Sequence, residues 1–181
     1  MKARDLDPLK LDVEALAKAS ASLDGEWPLT ELERLAASAA AGTAAGTVAW
    51  RVQGEHRPVR GGPPEVWLHL TADAGVKLEC QRCLGPVPVD VHAKRSFLFV
   101  PGEDAAAELD AESEDDVLAL TRALDLRALV EDELLLELPL VPRHEVCPDP
   151  LPLQEQDAEA VEEKPNPFAV LASLKRGGLP N

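Results

Sequence analysis

Apolar and polar residues alternate along this chain with a period that changes several times, and the changes mark its elements. Residues 6–13 (LDPLKLDV) alternate with Leu9, Leu11 and Val13 on one side, which predicts a short strand. Residues 14–24 follow as a candidate helix. A better helix is predicted over 28–35, where Leu29, Leu32 and Leu35 recur at helical spacing, and Ala-rich 36–45 extends it or connects it loosely. From Gly46 the period falls to two. Val48, Trp50 and Val52 share one face of a predicted strand, and the Gly- and Pro-rich stretch 57–64 reads as a loop. Residues 65–72 alternate again, and Asp73-Ala74-Gly75 reads as a tight turn into a second strand over 76–79. A long strand-like run covers 87–100.

Residues 101–116 carry Glu103, Asp104, Glu108, Asp110, Glu112, Glu114, Asp115 and Asp116 without one base, and read as a solvated loop. A flexible acidic loop cannot preorganise a pair of divalent cations, so phosphoryl chemistry is not expected there. Residues 117–122 suggest one more strand. Asp125 is a good N-cap for a helix over 126–138, in which Leu126, Leu129, Val130, Leu134 and Leu138 follow helical spacing and Pro139 ends the run. Glu131, Asp132, Glu133 and Glu137 are expected on its exposed side. The fold class expected is α+β: an antiparallel β-sheet core with a late packed helix, an acidic loop and linker, and a short C-terminal helix. Residues 1–147 form the domain, and 148–181 hold an acidic, Pro-rich linker and the segment Asn166–Lys175 (NPFAVLASLK).

In that last segment an Asn cap precedes a Pro at the first helical position, which marks a helix start. Phe168, Leu171 and Leu174 fall on one side. So short a helix is not stable alone and must dock. It docks either on its own domain or in a groove of a partner; in the second case Asn166, Pro167, Phe168, Leu171, Leu174 and Lys175 are the partner-binding residues.

The three cysteines carry the candidate chemistry. Cys80-Gln81-Arg82-Cys83 is one half-site, and His144-Glu145-Val146-Cys147 is a second. In thioredoxin-like enzymes a Cys-x-x-Cys opens a helix that lowers the first thiol's pKa. Here turn and strand residues follow, which speaks against redox catalysis. The other use is a metal knuckle, and the spacing C-x2-C…H-x2-C supplies four ligands for a structural zinc: Cys80, Cys83, His144 and Cys147. His92 is the substitute if His144 points away. Alternatively the cysteines are ordinary reduced thiols. Four good ligands leave no position for a catalytic water.

Charge narrows the choice of partner. With 33 acids against 18 bases the net charge is -15, which repels naked RNA at long range and suits a basic protein partner, unless it serves solubility alone. Arg51, Arg57, Arg60, Arg82, Lys94 and Arg95, with Trp50, Phe97 and Phe99 nearby, are candidates for a small RNA platform on the sheet. No glycine-rich phosphate loop and no serine nucleophile elbow are present, and His56, His69 and His92 lack a catalytic partner pattern. No apolar run approaches the length of a membrane span, and the first twenty residues mix acids with a short apolar pattern, unlike a secretory signal. A cytoplasmic protein without a membrane or small-molecule partner is expected.

Several blocks, in order, resemble the YceD family of large ribosomal RNA subunit accumulation proteins. Leu78-Glu79-Cys80-Gln81-Arg82-Cys83 is similar to its central signature. Similarity continues at Leu129-Val130-Glu131-Asp132-Glu133-Leu134, through Leu138-Pro139-Leu140-Val141-Pro142-Arg143-His144 to Cys147, and closes at Asn166–Lys175. The N-terminal third matches only in pattern. The resemblance implies a bacterial cytoplasmic protein, with relatives in plastids, that supports 23S rRNA accumulation and large-subunit biogenesis without enzymatic activity. The expected mechanism is binding of a basic large-subunit ribosomal protein or assembly factor. The alternative is an RNA-binding module that contacts the 23S rRNA precursor through Arg51, Arg57, Arg60, Lys94 and Arg95.

Overall fold

A computed structural model describes residues 6–148. Five strands lie in the order β1 to β5: β1 (Ser22–Pro28), β2 (Thr47–Arg57), β3 (Glu65–Glu79), β4 (Pro86–Val100) and β5 (Asp116–Ala119). The first four form an antiparallel meander, and β5 joins β4 in parallel. Four helices accompany them: α1 (Val13–Lys18), α2 (Glu33–Ser38), α3 (Glu103–Asp110) and α4 (Leu126–Leu136). This is the expected α+β class, with a mostly antiparallel sheet.

The period-two pattern places Val52, Leu68, Leu70, Ala72, Ala93 and Phe97 on one face, where they pack with Leu16 of α1, Leu35 of α2 and Val130 and Leu134 of α4. The opposite face is open over most of its length. At one end α3 covers it, through a small cluster of Trp67, Leu98, Ala106 and Val117.

Several local expectations are corrected. Residues 6–13 do not form a strand. The Asp7 carboxylate accepts from the Leu9 amide and caps a 3-10 turn over Pro8–Lys10, Asp12 caps α1, and only Leu11 bridges, to Leu124. Two Asp caps outweigh alternation there. Helix α1 stops at Lys18, and the edge strand β1, in which half-buried Leu23, Gly25 and Trp27 alternate with exposed Asp24 and Glu26, begins at Ser22 inside the expected 14–24 helix. The expected turn at 73–75 is the middle of β3. Asp73 pairs with Ala49 on one side and His92 on the other, and Gly75 pairs with Asp90. Ladder hydrogen bonds outweigh local turn propensity, a common outcome for strands. The acidic stretch is not a plain loop: Glu103–Asp110 is helical, with Ala106 buried and its charges turned to water. Glu131 and Glu133 are not exposed; they are buried at 8% and 7%.

Gly54 allows the closest approach in the fold. A Cβ there would stand 2.6 Å from the Ala17 amide nitrogen and 2.7 Å from the Leu16 carbonyl carbon, so α1 rests backbone to backbone on β2. Among the described residues no helix is long and apolar enough to cross a membrane.

Candidate metal centre

The turn between β3 and β4 builds the first half of the site. The Cys80 amide donates to the Gly85 carbonyl and the Leu84 amide donates back to the Cys80 carbonyl, each at 2.9 Å. Leu84 takes a positive φ of 61° to close this knuckle. The turn aims both the Cys80 and Cys83 sulfurs inward. The second half arrives on the segment after α4. The Gln81 amide donates to the Pro142 carbonyl at 2.9 Å and holds that segment against the knuckle.

The donor atoms of Cys80, Cys83, His144 and Cys147 all lie within 4.8 Å of one another. Cys80 Sγ is 3.9 Å from Cys147 Sγ, and Cys83 Sγ is 3.5 Å from His144 Nδ1. Around a tetrahedral zinc, sulfurs lie about 3.8 Å apart, and sulfur and imidazole nitrogen about 3.6 Å apart. The arrangement is therefore compatible with one structural metal ion. His144 is set for the role: its Nε2 lies 3.1 Å from the Pro86 carbonyl, which takes the ring proton and leaves the Nδ1 lone pair facing the cysteines.

Electrostatics agree. Burial pushes the Cys80 thiol up, but hydrogen bonds from the backbone amides of Cys83, Arg82 and His144, and from the Cys83 thiol, outweigh it and bring the value down to about 5. For Cys83 the Gly85 amide acts downward, but burial and the neighbouring Cys147 and Cys80 sulfurs prevail, and its pKa is raised. One thiolate is welcome in this cluster and further ones repel it. A bound cation would let three share the point.

Arg82, expected among the sheet cations, belongs to this site instead. Its Nε donates to Cys147 Sγ at 3.0 Å, and its Nη2 donates to the His144 and Glu145 carbonyls at 2.9 and 3.2 Å. A residue between the two cysteines thus straps the two halves together, a role that its charge alone does not announce. His92 is not the fourth ligand. It lies on the open face of β4, with Nδ1 2.6 Å from Asp73.

A family model described as Large ribosomal RNA subunit accumulation protein YceD matches residues 68–175, which include both halves of the site. The chain belongs to the YceD family. It is 34% identical over 176 residues to a Haemophilus influenzae protein named Large ribosomal RNA subunit accumulation protein YceD, covering 93% of this chain and 97% of that one. No solved structure matches. Within this family member, the four candidate ligands bring the β3–β4 knuckle of the matched region together with the segment after α4.

The other site candidates are scattered. Arg51 and Lys94 lie in one row on the open sheet face, each opposite Thr71. Arg95 faces the other way, opposite Leu70, and its Nε donates to Glu133 at 3.0 Å. Arg57 is paired with Glu55 and lies 4.6 Å above the Trp67 ring, and Arg60 sits in the exposed loop before β3. Trp50, Phe97 and Phe99 are buried, at 7%, 3% and 3%. Asn166, Pro167, Phe168, Leu171, Leu174 and Lys175 lie outside the described residues.

Proposed function

We propose that this protein is a non-catalytic factor supporting 23S rRNA accumulation and large-subunit biogenesis, and that it acts by binding a basic large-subunit ribosomal protein or assembly factor. The family membership supports the biological role. One observation carries the mechanism. The most exposed large apolar side chains among the described residues are Leu140 at 100%, Val146 at 85%, Leu136 at 70%, Leu84 at 60% and Val141 at 57%. All but Leu136, which ends α4, belong to the knuckle or to the segment after α4 that carries His144 and Cys147. Water-facing apolar groups gathered in one region mark an interaction surface. The exposed Glu79, Glu137 and Glu145 on the same segments, in a chain of net charge -15, suit a basic partner.

On this reading one zinc ion held by Cys80, Cys83, His144 and Cys147 is structural, and it fixes the apolar segment rather than performing chemistry. With four protein ligands no position remains for a substrate. The Asn166–Leu174 peptide, on the linker that follows the domain at 148, is a second partner contact, and the protein works in the cytoplasm. The test is a pull-down from purified large-subunit proteins and assembly factors. A basic partner retained by wild type and lost by Leu140→Asp/Val146→Asp supports the mechanism. No partner retained by the full chain overturns it. The biological role has its own readout: depleting the protein lowers 23S relative to 16S rRNA, and unchanged rRNA refutes it.

The second reading is direct contact with the 23S rRNA precursor. The pairing of Arg51 and Lys94 on the open sheet face favours it.

A further inference from the structure

The open sheet face holds a row in which two cations form no ion pair among the described residues. In the row Arg51–Thr71–Lys94, three neighbouring strands present a guanidinium, a hydroxyl and an ammonium in register. The outer strands stand roughly 10 Å apart, two strand spacings, so their long side chains can close over Thr71 from both sides. A shallow depression of about 210 Å³ lies there, also lined by Gln53, His69 and Ser96.

Nearby acids are occupied elsewhere. Glu55 is shared by Arg57 and His69, at 3.1 and 2.8 Å. Asp73 is taken by His92 at 2.6 Å. Asp24 lies opposite Arg51 on β1 but forms no ion pair with it among the described residues. Glu133 and Glu137 are on the covered face with Arg95. In a chain with 33 acids and 18 bases, Arg51 and Lys94 stand out as two cations in one row, on a rigid element, without a carboxylate partner among the described residues, an arrangement that suits an anion.

We propose that Arg51, Thr71 and Lys94 bind a backbone phosphate of RNA, without reading its sequence. Phosphate suits the donors: a planar guanidinium fork on one side, a point charge on the other and a hydroxyl between them. The aromatic rings that would stack on bases are buried, so base readout has no platform on this face. Gln53 and the Ser96 hydroxyl, which lies 2.8 Å from His69 Nδ1, border the site and offer further polar contacts to a phosphate or ribose. This deepens the second reading above and is independent of the protein-partner reading, whose pull-down it leaves untouched.

The experiment is fluorescence anisotropy of the full-length protein with a labelled single-stranded RNA of mixed sequence, across a salt series. A second RNA of the same length and different sequence is measured beside it, and inorganic phosphate is titrated by amide chemical shifts at Thr71 and Lys94. The proposal expects equal affinity for both RNAs. Arg51→Ala/Lys94→Ala should weaken binding by about tenfold or more and reduce the slope of log K against log salt by roughly 0.7, the loss of one phosphate contact on a single strand. Lys10→Ala/Arg122→Ala makes the same charge change at exposed positions away from the row and should cost much less. The proposal is overturned by no RNA binding at low salt, by a double variant that keeps affinity and slope, or by control variants that lose as much. Saturation by inorganic phosphate without RNA binding also overturns it, in favour of a small phosphate ligand. Melting curves of the variants establish that each is folded.

Discussion

Glu131 shows how much one side chain can do that its position in a heptad-like pattern conceals. Its Oε1 accepts from the backbone amides of Arg34 and Leu35, at 2.7 and 3.1 Å, and its Oε2 accepts from the Arg34 side chain. The first turn of α2 has no capping side chain of its own, because Leu32 stands at the N-cap. A carboxylate from α4 supplies the cap from a distant part of the chain. Replacing Glu131 with Ala should leave both amides and the Arg34 guanidinium without it, and cost about 2 kcal/mol; urea unfolding of the variant measures the loss. Glu55 makes a prediction about pH. Hydrogen bonds from Arg57 first, and then from His69, hold its carboxyl down at about 2, against an ordinary 4.5. Because the folded state is the one with the depressed value, Glu55 favours folding above pH ~4.5, and that contribution is lost as pH falls towards ~2. The side chain is 41% exposed, so solvent screens the effect. The gap in melting temperature between wild type and Glu55→Gln should therefore be small at neutral pH and close as pH falls through that window. A gap that widens towards acid pH would contradict this assignment.

At the scale of elements, close contact decides where α1 sits. Only a residue without Cβ lets the Leu16–Ala17 backbone rest on β2 at Gly54. Gly54→Ala should push α1 away from Leu70 and Val52 and destabilise the fold by about 2–3 kcal/mol, read from chemical denaturation. The same substitution at Gly62, where the nearest atom is a side-chain carbon 3.8 Å away, should be close to neutral. Elements also differ in how openly the sequence declares them. Helix α4 was legible: Asp125 accepts from the Ala128 amide at 3.1 Å as its cap, and the apolar spacing runs as expected. The halves of β3 were each legible, but their union was not, since Asp73-Ala74-Gly75 carries every local mark of a turn and is overruled only by partners on both sides. Strand β1 was missed although Leu23 and Trp27 alternate with Asp24 and Glu26, because the inward position between them is Gly25, which lies under the Trp50 ring, where a Cβ would come within 2.8 Å.

Two side-chain clusters among the described residues tie distant parts of the chain together. Glu131 and Glu133 tie α4 to α2 and β4, and the four metal ligands tie the β3–β4 knuckle to the segment after α4. The second tie depends on the proposed ion. Chelation of metal-loaded protein should expose three reactive thiols and lower the melting temperature by ~5 °C or more, while the sheet signal in circular dichroism persists, because of the main core's buried residues only Cys80 and Cys147 belong to the site and the strand ladder does not need the ion. Cys80→Ser should reproduce the drop and lose the response to chelator. An unchanged melting temperature with metal removed would show that Arg82 and the Gln81–Pro142 hydrogen bond hold the segment unaided.

By itself the sequence determined the ligand types and their spacing, the capping and periodicity of α4, the strand character of the middle of the chain, and the family. These are local properties, written in neighbouring residues. Only the tertiary structure decided that His144 rather than His92 completes the cysteine cluster, that Arg82 serves that cluster, that Arg95 and Lys94 face opposite ways, and that Glu131 and Glu133 are buried. Each of those outcomes turns on a partner far away in sequence. A side chain's role there depends on which face of the sheet its register assigns and on what packs against that face.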